Sequence, residues 1–161
     1  MKTAQLVLYG FIFLLSMLPV TATAQPYTIS ADGTEVTNQK TGLIWRRCSE
    51  GMSWNGATCA GAASTFSHEA ALAQAATQAS GTGLAWRLPN VKELTSIADK
   101  SRSNPAIDPV AFPATPASSF WSASPNVGGA NVAWHVSFGN GRVGTLIRSG
   151  SHYVRLVRAG Q

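Results

Sequence analysis

At 161 residues, with 45% hydrophobic and only 12% charged side chains, the chain has the composition of one globular unit. Disorder, collagen, a coiled coil and a polytopic membrane protein are excluded. The net charge of +5 is unevenly spread: basic and acidic residues balance between Gln25 and Asp108, whereas Pro109 to Gln161 carries Arg142, Arg148, Arg155 and Arg158 and no carboxylate side chain.

The first element is a leader. Lys2 precedes an apolar run from Leu6 to Leu18, followed by Pro19 and the small-residue sequence Ala22-Thr23-Ala24. That is the pattern of a secretory signal peptide over residues 1–24, cleaved after Ala24. The run is too short, and too broken by Gly10 and Ser16, to span a bilayer, so no transmembrane segment is expected in the mature chain. Residues 25–161 then form a single domain that is exported, to the periplasm or beyond the cell. In an oxidising compartment Cys48 and Cys59 are expected to pair. Closing a loop of about 12 residues contributes roughly 3 kcal/mol in the loop-entropy description. A redox role is the competing reading, but the spacing is not C-x-x-C.

Short strands open the mature chain, with turn signals at Asp32-Gly33 and Lys40-Thr41-Gly42 around Thr34 to Thr37 and Leu43-Ile44-Trp45. A helix follows the cysteine loop. Ser67 caps it, Glu69 lies in its first turn, Gly81 ends it, and Leu72, Ala75, Ala76 and Ala79 supply its packed face. Asn90 with Glu93 forms a capping box for a second short helix, whose stripe is Val91, Leu94, Ile97 and Ala98. Four prolines between Asn104 and Pro116 forbid regular structure, and Ile107, Val110 and Phe112 are expected to pin that loop.

The last third reads as β. Phe120 to Ser124 is a strand. Ala133 to Phe138 alternates, with Trp134, Val136 and Phe138 on one face and His135 and Ser137 on the other. Asn140-Gly141 signals a hairpin returning through Arg142 to Arg148, and His152 to Arg158 forms a further strand.

Few motifs carry chemistry. Gly139-Asn140-Gly141-Arg142-Val143-Gly144 matches G-x-G-x-x-G, but it joins two strands where a dinucleotide site needs a strand and a helix. His68, His135 and His152 are too scattered for a metal site, although His135 and His152 could approach each other on neighbouring strands facing solvent. A carboxylate pair for glycoside hydrolysis cannot come from a β region without acids. Trp45, Trp86, Trp121 and Trp134 are expected in the core, and Trp54 partly exposed.

Six segments in order form a recognisable set: Thr41-Gly42-Leu43-Ile44-Trp45-Arg46, Trp86 to Leu94, Asn104 to Asp108, Phe120 to Ser124, Ala133 to Phe138, and Tyr153-Val154-Arg155-Leu156-Val157-Arg158. With these the chain resembles the Lcl-type C-terminal domain family, a secreted bacterial module named for a collagen-like adhesin, from about Tyr27 to Gln161. Trp86-Arg87-Leu88-Pro89 is also similar to a segment of formylglycine-generating-enzyme-like members of the C-type lectin fold group. The resemblance implies a C-type-lectin-like α+β fold: two helices packed on a small antiparallel sheet, with long loops and one disulfide. It further implies a display scaffold whose variable positions lie between Pro125 and His152, and binding of sulfated glycosaminoglycans. Three departures matter. No collagen-like stalk occurs here, no late carboxylates are available for calcium-dependent sugar binding, and both cysteines are early, unlike the reactive thiols of formylglycine-type oxidases.

The function expected is a non-catalytic binding or adhesion module that holds an anionic ligand, a sulfated or phosphorylated glycan or an acidic protein surface. Arg142 and Arg148 supply charge-assisted contacts, and Asn126, Asn131, His135, Asn140 and His152 supply hydrogen bonds. At least one of Arg155 and Arg158 is expected to be structural, paired with Asp99 or Glu93. No catalytic residue, metal, cofactor or nucleic-acid partner is expected. The alternative is a structural or assembly component of a cell-envelope machine that binds a protein partner.

Overall fold

The computed structural model describes residues 26–160. The leader expected over residues 1–24 lies outside the described residues. The fold is α+β, with eleven strands and two helices among the described residues. Where the sequence predicts one small antiparallel sheet, the described residues form three sheets, and one of them contains a parallel pair.

Near the N-terminus, β1 (Tyr27–Ile29), β2 (Glu35–Asn38) and β3 (Leu43–Arg46) form an antiparallel meander. The last strand of the chain, β11 (Val157–Ala159), pairs antiparallel with β3 and so brings the two ends of the domain into one sheet. Cys48 and Cys59 are bonded across the small hairpin of β4 (Ser53–Trp54) and β5 (Cys59–Ala60). Gly51, at the base of this hairpin, has φ 89°, and a Cβ there would stand 2.6 Å from the Ser64 backbone nitrogen. The position therefore demands glycine for both its conformation and its space.

The five-stranded sheet runs β6 (Thr65–Phe66), β10 (His152–Tyr153), β7 (Ser119–Pro125), β8 (Val132–Ser137), β9 (Arg142–Ile147). β10 is parallel to β7 and all other neighbours in this sheet are antiparallel. Successive side chains on a strand point to opposite faces. Phe120 accordingly enters one core with Trp45, Leu94, Ile97, Ile107, Phe112, Val136 and Phe138, while Trp121 enters a second with Ala71, Ala75, Trp86, Leu88, Val154 and Leu156. The sheet is thus covered on both faces, by α2 (Val91–Ser96) on the first and α1 (His68–Thr82) on the second.

Both helix starts follow the sequence. The Ser67 hydroxyl accepts from the Ala70 N–H, and Asn90 and Glu93 complete a reciprocal capping box. The end of α1 does not. Thr82 bonds back to Gln78 O at 2.7 Å, and Gly83 rather than Gly81 takes the left-handed turn, its N–H donating to Ala79 O. The packed face of α1 is His68, Ala71 and Ala75; Leu72 points to solvent, since α1 crosses Trp121 on its alanine side. In the proline loop Ile107 and Phe112 are buried as expected, but Val110 is 70% exposed. Its carbonyl rather than its side chain is anchored, accepting from Arg47 Nη2 at 3.0 Å.

The Trp86 to Leu94 segment is scaffold. Arg87 forms a double backbone bridge with Val157 and a two-point ion pair with Glu93, which also caps α2. Trp86 lies beneath the guanidinium groups of Arg46 and Arg158.

Candidate anion-binding surface

Eight arginines occur in the chain, and the fold occupies six of them. Arg155 is fully buried; its guanidinium donates to the carbonyls of Arg46 and Arg47, to Ser49 Oγ at 3.2 Å and to Thr115 Oγ1 at 2.7 Å. Burial pulls its pKa down to about 9, with Glu50 opposing that shift. Arg158 pairs with Glu35 at 2.6 Å. Both late arginines of the Tyr153 to Arg158 segment are therefore structural, but neither meets Asp99 or Glu93: Asp99 holds Arg102 and Glu93 holds Arg87. Arg47 caps the carbonyls of Gly33, Val110 and Ala111 and stacks on Trp54, 3.8 Å from its ring centroid. Arg46 bonds Gln78 and stacks on Trp86.

Arg142 and Arg148 remain. Arg142 is exposed, and no side-chain partner for its guanidinium exists among the described residues. Arg148 is half-buried and donates only through Nε, to Val132 O at 3.1 Å, so both its terminal nitrogens are available. Of the four arginines in the acid-free last third, these are the two without a carboxylate partner or a bonded terminal nitrogen among the described residues.

The seven predicted residues do not form one patch. At the turn end of the β8–β9 hairpin lie Asn140, whose side-chain oxygen accepts from the Arg142 N–H at 3.1 Å, and Arg142 itself. At the opposite end are Asn131, whose carbonyl accepts from the Arg148 N–H, and Arg148. Asn126 is on the preceding loop, where its side chain accepts from the Gly128 N–H at 2.7 Å. Six residue steps of extended chain separate Arg142 from Arg148 by about 20 Å. Even-numbered residues of β9 share a face, so both guanidiniums lie on the side of the sheet that carries His135, the register partner of Gly144.

His135 and His152 do belong to one face, on either side of Trp121, but half-buried rather than facing open solvent. The His152 ring packs on Trp121 and His135 lies against Gly144. Burial lowers both pKa values below the ordinary 6.5, and for His135 the neighbouring His152 lowers it further. The His135 Nδ1 is buried without a partner. Sequence alternation alone places these rings outward, because it does not reveal that the 148–151 turn and α1 cover this face.

A feature that sequence reasoning missed joins the two halves of the chain. Ser67, His68, Glu69 and Leu72 at the start of α1 line an open cleft of about 490 Å³ with Arg148 and Ser149. The His68 N–H donates to Arg148 O at 2.9 Å and fixes that approach. Ser67 and Arg148 each carry a signal in the sequence, a cap and an unpaired charge, but their contact is long-range. Trp54, Arg46 and Glu50 line a smaller cavity of about 200 Å³ beside the disulfide. Trp134, expected in the core, is only half-buried.

Among the described residues, no group of three or more His, Cys, Asp or Glu side chains could hold a metal ion, and no helix is long and apolar enough to cross a membrane. The sequence model of a family described as the Lcl C-terminal domain matches residues 34–158, more than three quarters of the chain. No protein of curated function matches it.

Proposed function

The chain belongs to the Lcl C-terminal domain family, and on that footing we propose that it is an exported, non-catalytic binding module for an extended polyanion, a sulfated or phosphorylated glycan. One observation carries this reading: of eight arginines, only Arg142 and Arg148 have neither a carboxylate partner nor a bonded terminal nitrogen among the described residues, and they lie on one face of an acid-free hairpin. Free guanidinium groups make short, charge-assisted and two-point bonds to sulfate and phosphate. Their separation of about 20 Å exceeds the reach of a single small anion and suits a chain with repeated charges. His152 and the cleft beside Arg148 extend the same face, and protonation of His135 and His152 in acid adds to its charge.

The topology supports a C-type-lectin-like architecture for this module: two helices, long loops, and first and last strands in one sheet. The disulfide and the leader pattern support export. The test is a glycan array probed with the purified mature chain. Retention on sulfated glycans but not on their desulfated forms, lost in Arg142→Ala/Arg148→Ala, is the expected outcome. Equal retention on neutral glycans contradicts it.

A further inference from the structure

β9 is the edge strand of the five-stranded sheet, with β8 on one side and, among the described residues, no strand on the other. The Arg148 N–H donates to Asn131 O at 2.8 Å. Backbone direction alternates along a strand, so Arg142, Gly144 and Leu146 turn toward β8, and Val143, Thr145 and Ile147 turn outward. The Ile147 carbonyl is taken by the Gly150 N–H at 2.9 Å. The remaining outward groups have no partner among the described residues: both from Val143, both from Thr145, and the Ile147 N–H.

Proteins usually blunt such an edge with proline, an inward charge or a bulge. None of these interrupts Arg142–Ile147, and its register with β8 is continuous. Val143 and Ile147 are 42% and 60% exposed, and Val143 borders a shallow trough of about 370 Å³ shared with Val91, Lys92 and Thr95. Cations stand at both ends of the strand. Arg142 and Arg148 flank it, Lys92 lines the trough, and Lys100 packs beside Gly141.

The charges decide what fits. Two copies of β9 paired antiparallel about their centre would place Arg142 of one copy beside Arg148 of the other, at both ends, and like charges across strands are unfavourable. A strand with β-branched residues in its middle and carboxylates at its ends turns the same cations into attractive partners. We propose that the β9 edge accepts an extended, acid-flanked segment of a partner protein as a sixth strand of this sheet. The outward backbone groups of Val143, Thr145 and Ile147 bond the incoming strand, and Arg142 and Arg148 fix its ends. This does not depend on the glycan reading, because a polysaccharide has no backbone amides to pair with the edge.

The probe is a synthetic peptide, Glu-Glu-Val-Thr-Val-Thr-Val-Glu, titrated into the purified mature chain. It should bind and slow amide hydrogen exchange at Val143, Thr145 and Ile147. A copy N-methylated at alternate residues keeps every charge but loses the backbone donors, and should bind at least about tenfold more weakly. Thr145→Pro removes one outward N–H without touching the β8 ladder. It should weaken the peptide about fivefold or more while leaving any binding of a sulfated oligosaccharide unchanged. Equal affinity for the N-methylated copy, exchange protection elsewhere than β9, or protection of β9 by self-association of the chain without peptide would each overturn the proposal.

Discussion

The His152 ring stands edge-on to the Trp121 indole, with centroids 4.8 Å apart and planes at 82°. His68 meets the same indole edge-on at 5.3 Å and bonds Ser122 O through Nε2. Three histidines and a tryptophan from four separate elements thus consolidate one face of the sheet, beside Arg148.

This packing makes stability pH-dependent. His135 and His152 titrate below 6.5 in the folded chain because burial penalises the imidazolium, whereas in the unfolded chain they take up protons at ordinary values. The unfolded state therefore binds more protons in mild acid. The stabilisation held by the two neutral rings is complete above about pH 6.5 and is lost as pH falls through the lower folded values. Urea midpoints should drop between pH 7.5 and pH 5.5, and the drop should shrink in His135→Gln/His152→Gln.

The late arginines divide sharply by role. Arg155→Leu leaves the Arg46 and Arg47 carbonyls and the Ser49 and Thr115 hydroxyls without their donor in a closed interior. The loss should be about 3–5 kcal/mol. Arg142→Ala exposes no such deficit and should change stability by less than about 0.5 kcal/mol. Denaturant unfolding of the two variants side by side gives the comparison.

At the α2 start, Asn90→Ala removes the acceptor of the Glu93 N–H and opens the capping box. A cost of about 1 kcal/mol is expected, read as a lower thermal midpoint. Arg87 holds the Glu93 carboxylate below its usual range, with the Asn90 N–H assisting. The stabilisation from that carboxylate is present above the ordinary Glu range and lost as pH falls through its depressed folded value.

Glu69 lines the cleft beside Arg148, on the proposed polyanion path. Its field opposes an anionic ligand, so Glu69→Gln should tighten binding of a sulfated oligosaccharide by a few-fold, most visibly at low salt.

Local features were legible in the sequence. Ser67, the Asn90–Glu93 box, the Cys48–Cys59 pair and the Asn140-Gly141 hairpin each depend on residues close together in the chain, and each forms as read. What depends on distant partners was not. The Glu35 partner of Arg158, 123 residues away, and the Thr115 partner of Arg155, 40 residues away, leave no periodic trace. The same holds for the cleft that Ser67 and His68 make with Arg148. Strand alternation placed His135 outward because it carries no record of what lies across the sheet. The charge asymmetry holds in reduced form: the last third carries four arginines, and folding occupies Arg155 and Arg158.

The most direct measurement is the affinity of the mature chain for a sulfated oligosaccharide across a salt series, for the unaltered protein and for Arg142→Ala/Arg148→Ala. Affinity that falls steeply with salt in the unaltered protein, with a flatter slope and at least about tenfold weaker binding in the variant, is what a guanidinium-held polyanion predicts. Binding that ignores salt, or that survives the double substitution undiminished, contradicts it.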